Sequence, residues 1–137
     1  MSFAPYLSFS GGQCRPAMTF YASIFGATDL QVMTFGENPD MAPPGVNPEY
    51  LVHCQFSAGP GAPLLGSDSP DGWAVKGTNM TVFHAAPDAA QAGVVFAGLS
   101  DGAEVTMPLS PVSWSPAFGM LTDKFGTAWM ITVAPGG

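Results

Sequence analysis

FGMLTDKFGTAWMITV, Phe118–Val133, is two short apolar-rich runs joined by a polar segment that ends in glycine. Alternating runs on either side of a turn signal predict two antiparallel strands. In the second strand Trp129, Ile131 and Val133 form one apolar set, which leaves Met130 and Thr132 on the other face because side chains alternate along a strand. A methionine on that second face needs an explanation, and it comes from the strands and helices that precede this hairpin.

Upstream, the pattern that ends in this hairpin occurs twice. PYLSFS, Pro5–Ser10, predicts a strand, and CRPAMTFYASIF, Cys14–Phe25, a helix with Pro in its first turn, apolar residues at Met18, Tyr21 and Phe25, and a stop at Gly26. DLQVMTF (Asp29–Phe35), LVHCQFS (Leu51–Ser57) and APLLGSD (Ala62–Asp68) follow as strands, with a Pro- and Asn-rich loop at 36–50. MTVFHA (Met80–Ala85) then restarts the series, PDAAQAGVVFAGL (Pro87–Leu99) opens a second helix, and EVTMPLSPVSW (Glu104–Trp114) leads into the closing hairpin. The expected organisation is one α+β domain over 1–137, with a first βαβββ module at 1–68, a connector at 69–79 and a second module at 80–137. A helix covers only one face of a small sheet. Two such modules joined as one curved mixed sheet, helices outside, would leave a concave face for a small ligand.

Composition narrows the function. Only Arg15, Lys76 and Lys124 carry fixed positive charge against ten acidic residues, a net charge of −7. Nothing basic is available to neutralise phosphates, so neither nucleic acid nor an anionic membrane is an expected partner. No apolar run approaches the roughly 20 residues of a membrane span. MSFAPYLSFSGG lacks the basic-then-apolar order of a signal peptide, and a cytoplasmic protein is expected. The apolar fraction of 47% supports a real core, and 17 glycines with 14 prolines imply many turns and short strands. Cys14 and Cys54 are too few for a disulfide framework. At the start of a helix the dipole would lower the pKa of Cys14, but an inert small residue is the plainer reading.

Parity sorts the faces. In the first strand Leu7 and Phe9 suit the core, leaving Tyr6 and Ser8 for the concave side. In Leu51–Ser57 the set Val52, Cys54 and Phe56 belongs under the helix, so Leu51, His53 and Gln55 are expected opposite it. In Met80–Ala85 the bulk of Phe83 suggests a place under the second helix, which would turn Met80, Val82 and His84 to the concave face.

Several of these stretches resemble one family. PYLSFSG, the FYxxxFG helix end (Phe20, Tyr21, Phe25, Gly26), FGE at Phe35–Glu37, the Ser67–Asp68 pair and above all Trp114 with FGMLTDKFGTAWMI are similar to the PhnB-like branch of the vicinal oxygen chelate superfamily. Glyoxalase I, bleomycin resistance proteins and extradiol dioxygenases belong to the same superfamily. The resemblance implies paired βαβββ modules, a homodimer and a ligand cavity within the curved sheet. Metal-dependent members hold a divalent ion with His and Glu on the first and last strands of the modules. Carried across, those positions fall near Tyr6, Gly66–Asp68, Met80 and Met130. Thioethers suit soft ions and not the hard or borderline ions of that chemistry, so the usual centre is expected to be absent and no cofactor is expected. Met130 then reads as a flexible side chain on an apolar cavity floor, with a soft-metal role as the other reading.

The expected ligand pocket comprises Tyr6, Ser8, His53, Gln55, Asp68, Met80, His84, Trp114, Phe118 and Met130. His53 and His84 are candidate acid–base groups or, with Asp68, ligands for a divalent metal. A hydrogen-bonded structural role for each competes with both. Asp68 is equally suited to a turn, Trp114 and Phe118 to stacking on a ligand or to core packing, and Glu37 and Asp40 to a loop over the cavity or a solvated surface. No catalytic residue is assigned; no nucleophile beside a base is legible, and no glycine loop for a methyl donor, the Gly11–Gly12 pair reading as a turn. The expected function is binding of an unidentified small molecule. The alternative is a divalent-metal-dependent lyase, isomerase or dioxygenase.

Overall fold

A computed structural model describes residues 3–70 and 74–136, so the stretch Asp71–Trp73 of the expected connector lies outside the described residues. The chain forms two compact units, one ending at Val75 and the other beginning at Lys76. The first contains β1 (Tyr6–Phe9), α1 (Cys14–Ile24), β2 (Gln31–Thr34), β3 (Leu51–Ser57) and β4 (Pro63–Asp68). The second contains β5 (Val82–Ala86), α2 (Ala89–Leu99), β6 (Glu104–Val112), β7 (Ser115–Thr122) and β8 (Ala128–Val133). Hydrogen bonding closes within each unit. The strands form two four-stranded sheets, ordered β1-β4-β3-β2 and β5-β8-β7-β6, each with one parallel pair and two antiparallel pairs.

In the first unit α1 presents Cys14, Ala17, Met18 and Tyr21, all inaccessible to solvent, to β3 and β4. No side chain of its own first turn caps this helix. Instead Asp68, at the end of β4 and 3% exposed, accepts the Cys14 N–H at 2.9 Å and the Leu51 N–H at 2.8 Å. A carboxylate here satisfies donors that the helix and β3 leave unpaired, and its charge suits the positive end of the helix. Residues 36–50 are a loop with one short 3₁₀ turn at Pro39–Met41. At the start of that loop Glu37 accepts from both the N–H and the hydroxyl of Thr34, which holds its carboxyl below the usual range.

Leu51 departs from simple alternation. It is fully buried rather than opposite the helix, because the β2–β3 register shifts between Met33 and Thr34: Met33 pairs with His53 but Thr34 pairs with Leu51. Val52 is the extra residue of a bulge, and an extra residue moves its neighbour to the other face.

In the second unit Asp88 caps α2, accepting the Gln91 N–H at 2.8 Å. Ala92, Val95, Phe96 and Leu99 are the buried face of this helix, packed on β7, β8 and β5. A Cβ added to Gly119 would come within 2.7 Å of the Phe96 ring and 3.0 Å of the Leu109 backbone, so helix, β7 and β6 meet where only glycine fits. The edge strand β6 carries Pro108 and Pro111 and is irregular in register, which blunts it as a template for further pairing.

The hairpin is organised by Asp123, 4% exposed. One carboxylate oxygen accepts the N–H groups of Phe125 (2.8 Å) and Thr127 (3.0 Å), and the other accepts the indole Nε1–H of Trp129 at 2.8 Å. Removing it leaves donors without partners inside the protein. Asp123→Ala is therefore expected to destabilise the fold by about 3 kcal/mol, whereas Asp40→Ala on the exposed loop should change stability by less than about 0.5 kcal/mol. Urea denaturation of the two variants beside the parent chain measures both.

Candidate functional site

Each sheet has one face under its helix and one turned away. Register decides which side chains share the second face, since partners on neighbouring strands point the same way. In the first sheet Cys54 pairs with Gly66 and Phe56 with Leu64 beneath α1. The opposite face takes Tyr6, paired with Leu65, and Ser8, paired with Ser67. It also takes Gln55 and His53, paired with Gln31 and Met33.

The side chains on this face are linked. The Tyr6 hydroxyl lies 3.0 Å from His53 Nδ1, and His53 Nε2 lies 2.8 Å from Gln55 Oε1. A neutral imidazole protonated on Nε2 satisfies both contacts, accepting from the phenol and donating to the amide. Tyr6 is 50% exposed and His53 half-buried, so the group is held in place and open to a ligand. Phenol, imidazole and amide here form one connected hydrogen-bonding surface.

In the second sheet the opposite face has another character. The β5–β8 pair is parallel, with Phe83 beside Met130 and His84 beside Ile131. Trp129 and Ile131 are buried under α2, so His84 shares the helix side and Phe83 the outer one. The expectation from bulk is reversed here: Phe83 is 61% exposed and His84 half-buried. Burial lowers the His84 pKa from 6.5 by disfavouring the charged ring. Met80 precedes β5, lies outside any strand and is exposed. Trp114, in the β6–β7 turn and 70% exposed, packs edge-on against Phe118 at 5.4 Å between ring centroids. Phe118 is itself buried.

The structure thus brings Tyr6, His53 and Gln55 together, with Ser8 on the same face. It places Met130 on the open face of the second sheet and gives Asp68 and His84 to the helix side of their respective sheets. Asp68 is engaged by two backbone N–H groups and has the structural task described above. Cys14 and Cys54 are both fully buried and hydrogen-bonded to each other, which pushes the Cys14 thiol up and the Cys54 thiol down. Burial of both makes the inert reading of Cys14 the better one. Among the described residues no three His, Cys, Asp or Glu side chains gather where they could hold a metal ion.

A model of the family described as 3-demethylubiquinone-9 3-methyltransferase matches residues 1–132. The chain belongs to that family. The structure of protein PA1353 from Pseudomonas aeruginosa is similar with a TM-score of 0.82 and 32% identity, covering 97% of each chain. The PhnB protein of Bacillus cereus, described as a 3-demethylubiquinone-9 3-methyltransferase, superposes with a TM-score of 0.74 at 25% identity over 98% of this chain and 100% of that one. A glyoxylase/bleomycin resistance protein/dioxygenase domain from Frankia shares the fold with a TM-score of 0.64 at 12% identity, covering 98% of each chain. The α+β architecture is that of the glyoxalase/bleomycin resistance fold, in its PhnB-like branch.

The family's description names a methyltransferase, and the β1–α1 turn of this chain is not open to a methyl donor. The β1–α1 turn would be the place for a nucleoside on a glycine loop. There the space beside Gly12 is filled by the Tyr50 ring, 2.6 Å from where a Cβ would stand, and the N-terminus of α1 is closed by Asp68.

The displaced histidine has a measurable consequence. Unfolded, the His84 imidazole takes up a proton near pH 6.5, and folded only at lower pH. Between those values the unfolded chain binds more protons, so stability falls as pH drops below about 6.5. His84→Gln should lose less stability than the parent chain between pH 7.5 and 5.5, read as the difference between their denaturation midpoints.

Proposed function

We propose that the protein binds a small, uncharged organic molecule on the first-sheet face that carries Tyr6, Ser8, His53 and Gln55. The observation that supports this best is the Tyr6–His53–Gln55 chain of hydrogen bonds on a half-open surface. Pre-arranged polar groups of this kind orient a ligand at little cost in side-chain entropy. Family membership adds the precedent of a ligand-binding fold. The protein is further proposed to act as a cytoplasmic homodimer without a divalent metal centre.

The competing reading, a divalent-metal lyase, isomerase or dioxygenase, needs His53, His84 or Asp68 as ligands. Of these Asp68 is engaged within the core and His84 lies on the helix side of its sheet. That leaves His53 alone, and the binding reading is preferred.

A thermal-shift screen of neutral organic compounds tests the proposal, because a ligand that binds only the native state raises its stability. For a compound that stabilises the protein, Tyr6→Phe is expected to weaken binding by up to about tenfold, the worth of one neutral hydrogen bond, while leaving the unliganded melting temperature nearly unchanged. Equal affinity in Tyr6→Phe and His53→Gln would place the ligand elsewhere. One divalent ion per chain surviving dialysis would favour the enzyme.

A further inference from the structure

Met130 does not stand alone. Met107 pairs with Met120 across β6 and β7, Met120 pairs with Met130 across β7 and β8, and Phe83 continues the row onto β5. Leu121, Trp129 and Ile131, of opposite parity, are buried beneath α2, so the three methionines and Phe83 share the face turned away from it. The row is accessible: Met107 is 42% exposed, and Met120 and Met130 are half-buried.

Leucine or isoleucine would serve an apolar surface here with less rotamer freedom to lose. Methionine adds a polarizable thioether on three rotatable bonds. Neighbouring strands lie about 4.8 Å apart, so the outer two side chains need only lean toward the middle one for all three sulfurs to meet a common ion. Thioethers select soft ions such as Cu(I). Being neutral, three of them leave a monovalent charge with less to compensate than a divalent one, and the ring of Phe83 at the end of the row offers its face to a cation.

We propose that Met107, Met120 and Met130 form a binding site for a soft monovalent cation, cuprous or silver ion. This goes beyond the organic-ligand reading and does not depend on it, since the two use different sheets.

Silver ion, which is redox-inert, is the probe. Protein labelled with ¹³C at the methionine methyl groups is titrated with silver nitrate and followed by NMR. The methyls of Met107, Met120 and Met130 should shift together and saturate at one silver per chain, while that of the exposed Met80, outside the row, should not move over the same range. Met120→Leu keeps the apolar volume and should weaken the site at least tenfold; Met80→Leu should leave it unchanged. A second titration in Cys14→Ala/Cys54→Ala separates the sulfur types, and competition for Cu(I) against bicinchoninate gives an independent affinity should that variant not fold. Silver captured by the thiols alone, or identical titrations in Met120→Leu and the parent chain, would overturn the proposal.

Discussion

The carboxylate of Asp123 determines what the second sheet presents. By gathering two turn N–H groups and the Trp129 indole, it fixes where β7 stops and β8 begins. A shift of one residue there would exchange the faces of β8. With the turn held, Trp129 and Ile131 go under α2, Met130 is left opposite them, and Met120 becomes its cross-strand partner. The indole helps to enforce the choice, since a buried N–H without an acceptor is costly. Trp129 is thus anchored at its polar end by Asp123 and at its apolar body by the helix.

Asp68 has a comparable position in the first unit. It ties the end of β4 to the start of α1 and to the start of β3, which fixes the helix over the face of Gly66 and Cys54. The two buried carboxylates among the described residues therefore serve backbone and indole donors. The open face of the first sheet is correspondingly poor in charge, its named polar groups being phenol, hydroxyl, imidazole and amide. On the second, sulfur and an aromatic ring share the face with Glu104, paired with Thr122, and with Thr132.

Much of this was legible in the residues, and the exceptions have physical causes. Alternation sorted β1, β8 and most of β3 because one face of each is strongly apolar. It failed at Leu51, where a bulge supplies an extra residue that no local pattern announces. It failed again in β5, where bulk was used as a guide to burial. Parallel pairing with β8 sets that strand's orientation, and it puts the small Ala86 and the half-buried His84 under the helix while Phe83 remains outside. Asp68 looked like a site residue because an acidic group beside a strand end is ambiguous; only the Cys14 and Leu51 N–H groups, 54 and 17 positions away, disclose its task. The methionine row is not legible in the residues, because β6 is irregular and nothing in its spacing pairs Met107 with Met120.

A thioether at Met130 has a consequence for the chemistry open to this face. A hard divalent ion polarises a bound oxygen because its ligands are compact and oxygen- or nitrogen-based, and a carboxylate also offsets its charge. A thioether suits such an ion poorly, and Met120 and Met107 beside Met130 set three of them in one row. The same row can contact flat apolar molecules, since methionine adapts its shape and favours aromatic edges. The second sheet thus presents polarizable surface, and the first a hydrogen-bonded chain of Tyr6, His53 and Gln55. Buried Asp68 and Asp123 hold both arrays in place: phenol, imidazole and amide on the first sheet, thioethers and the Phe83 ring on the second.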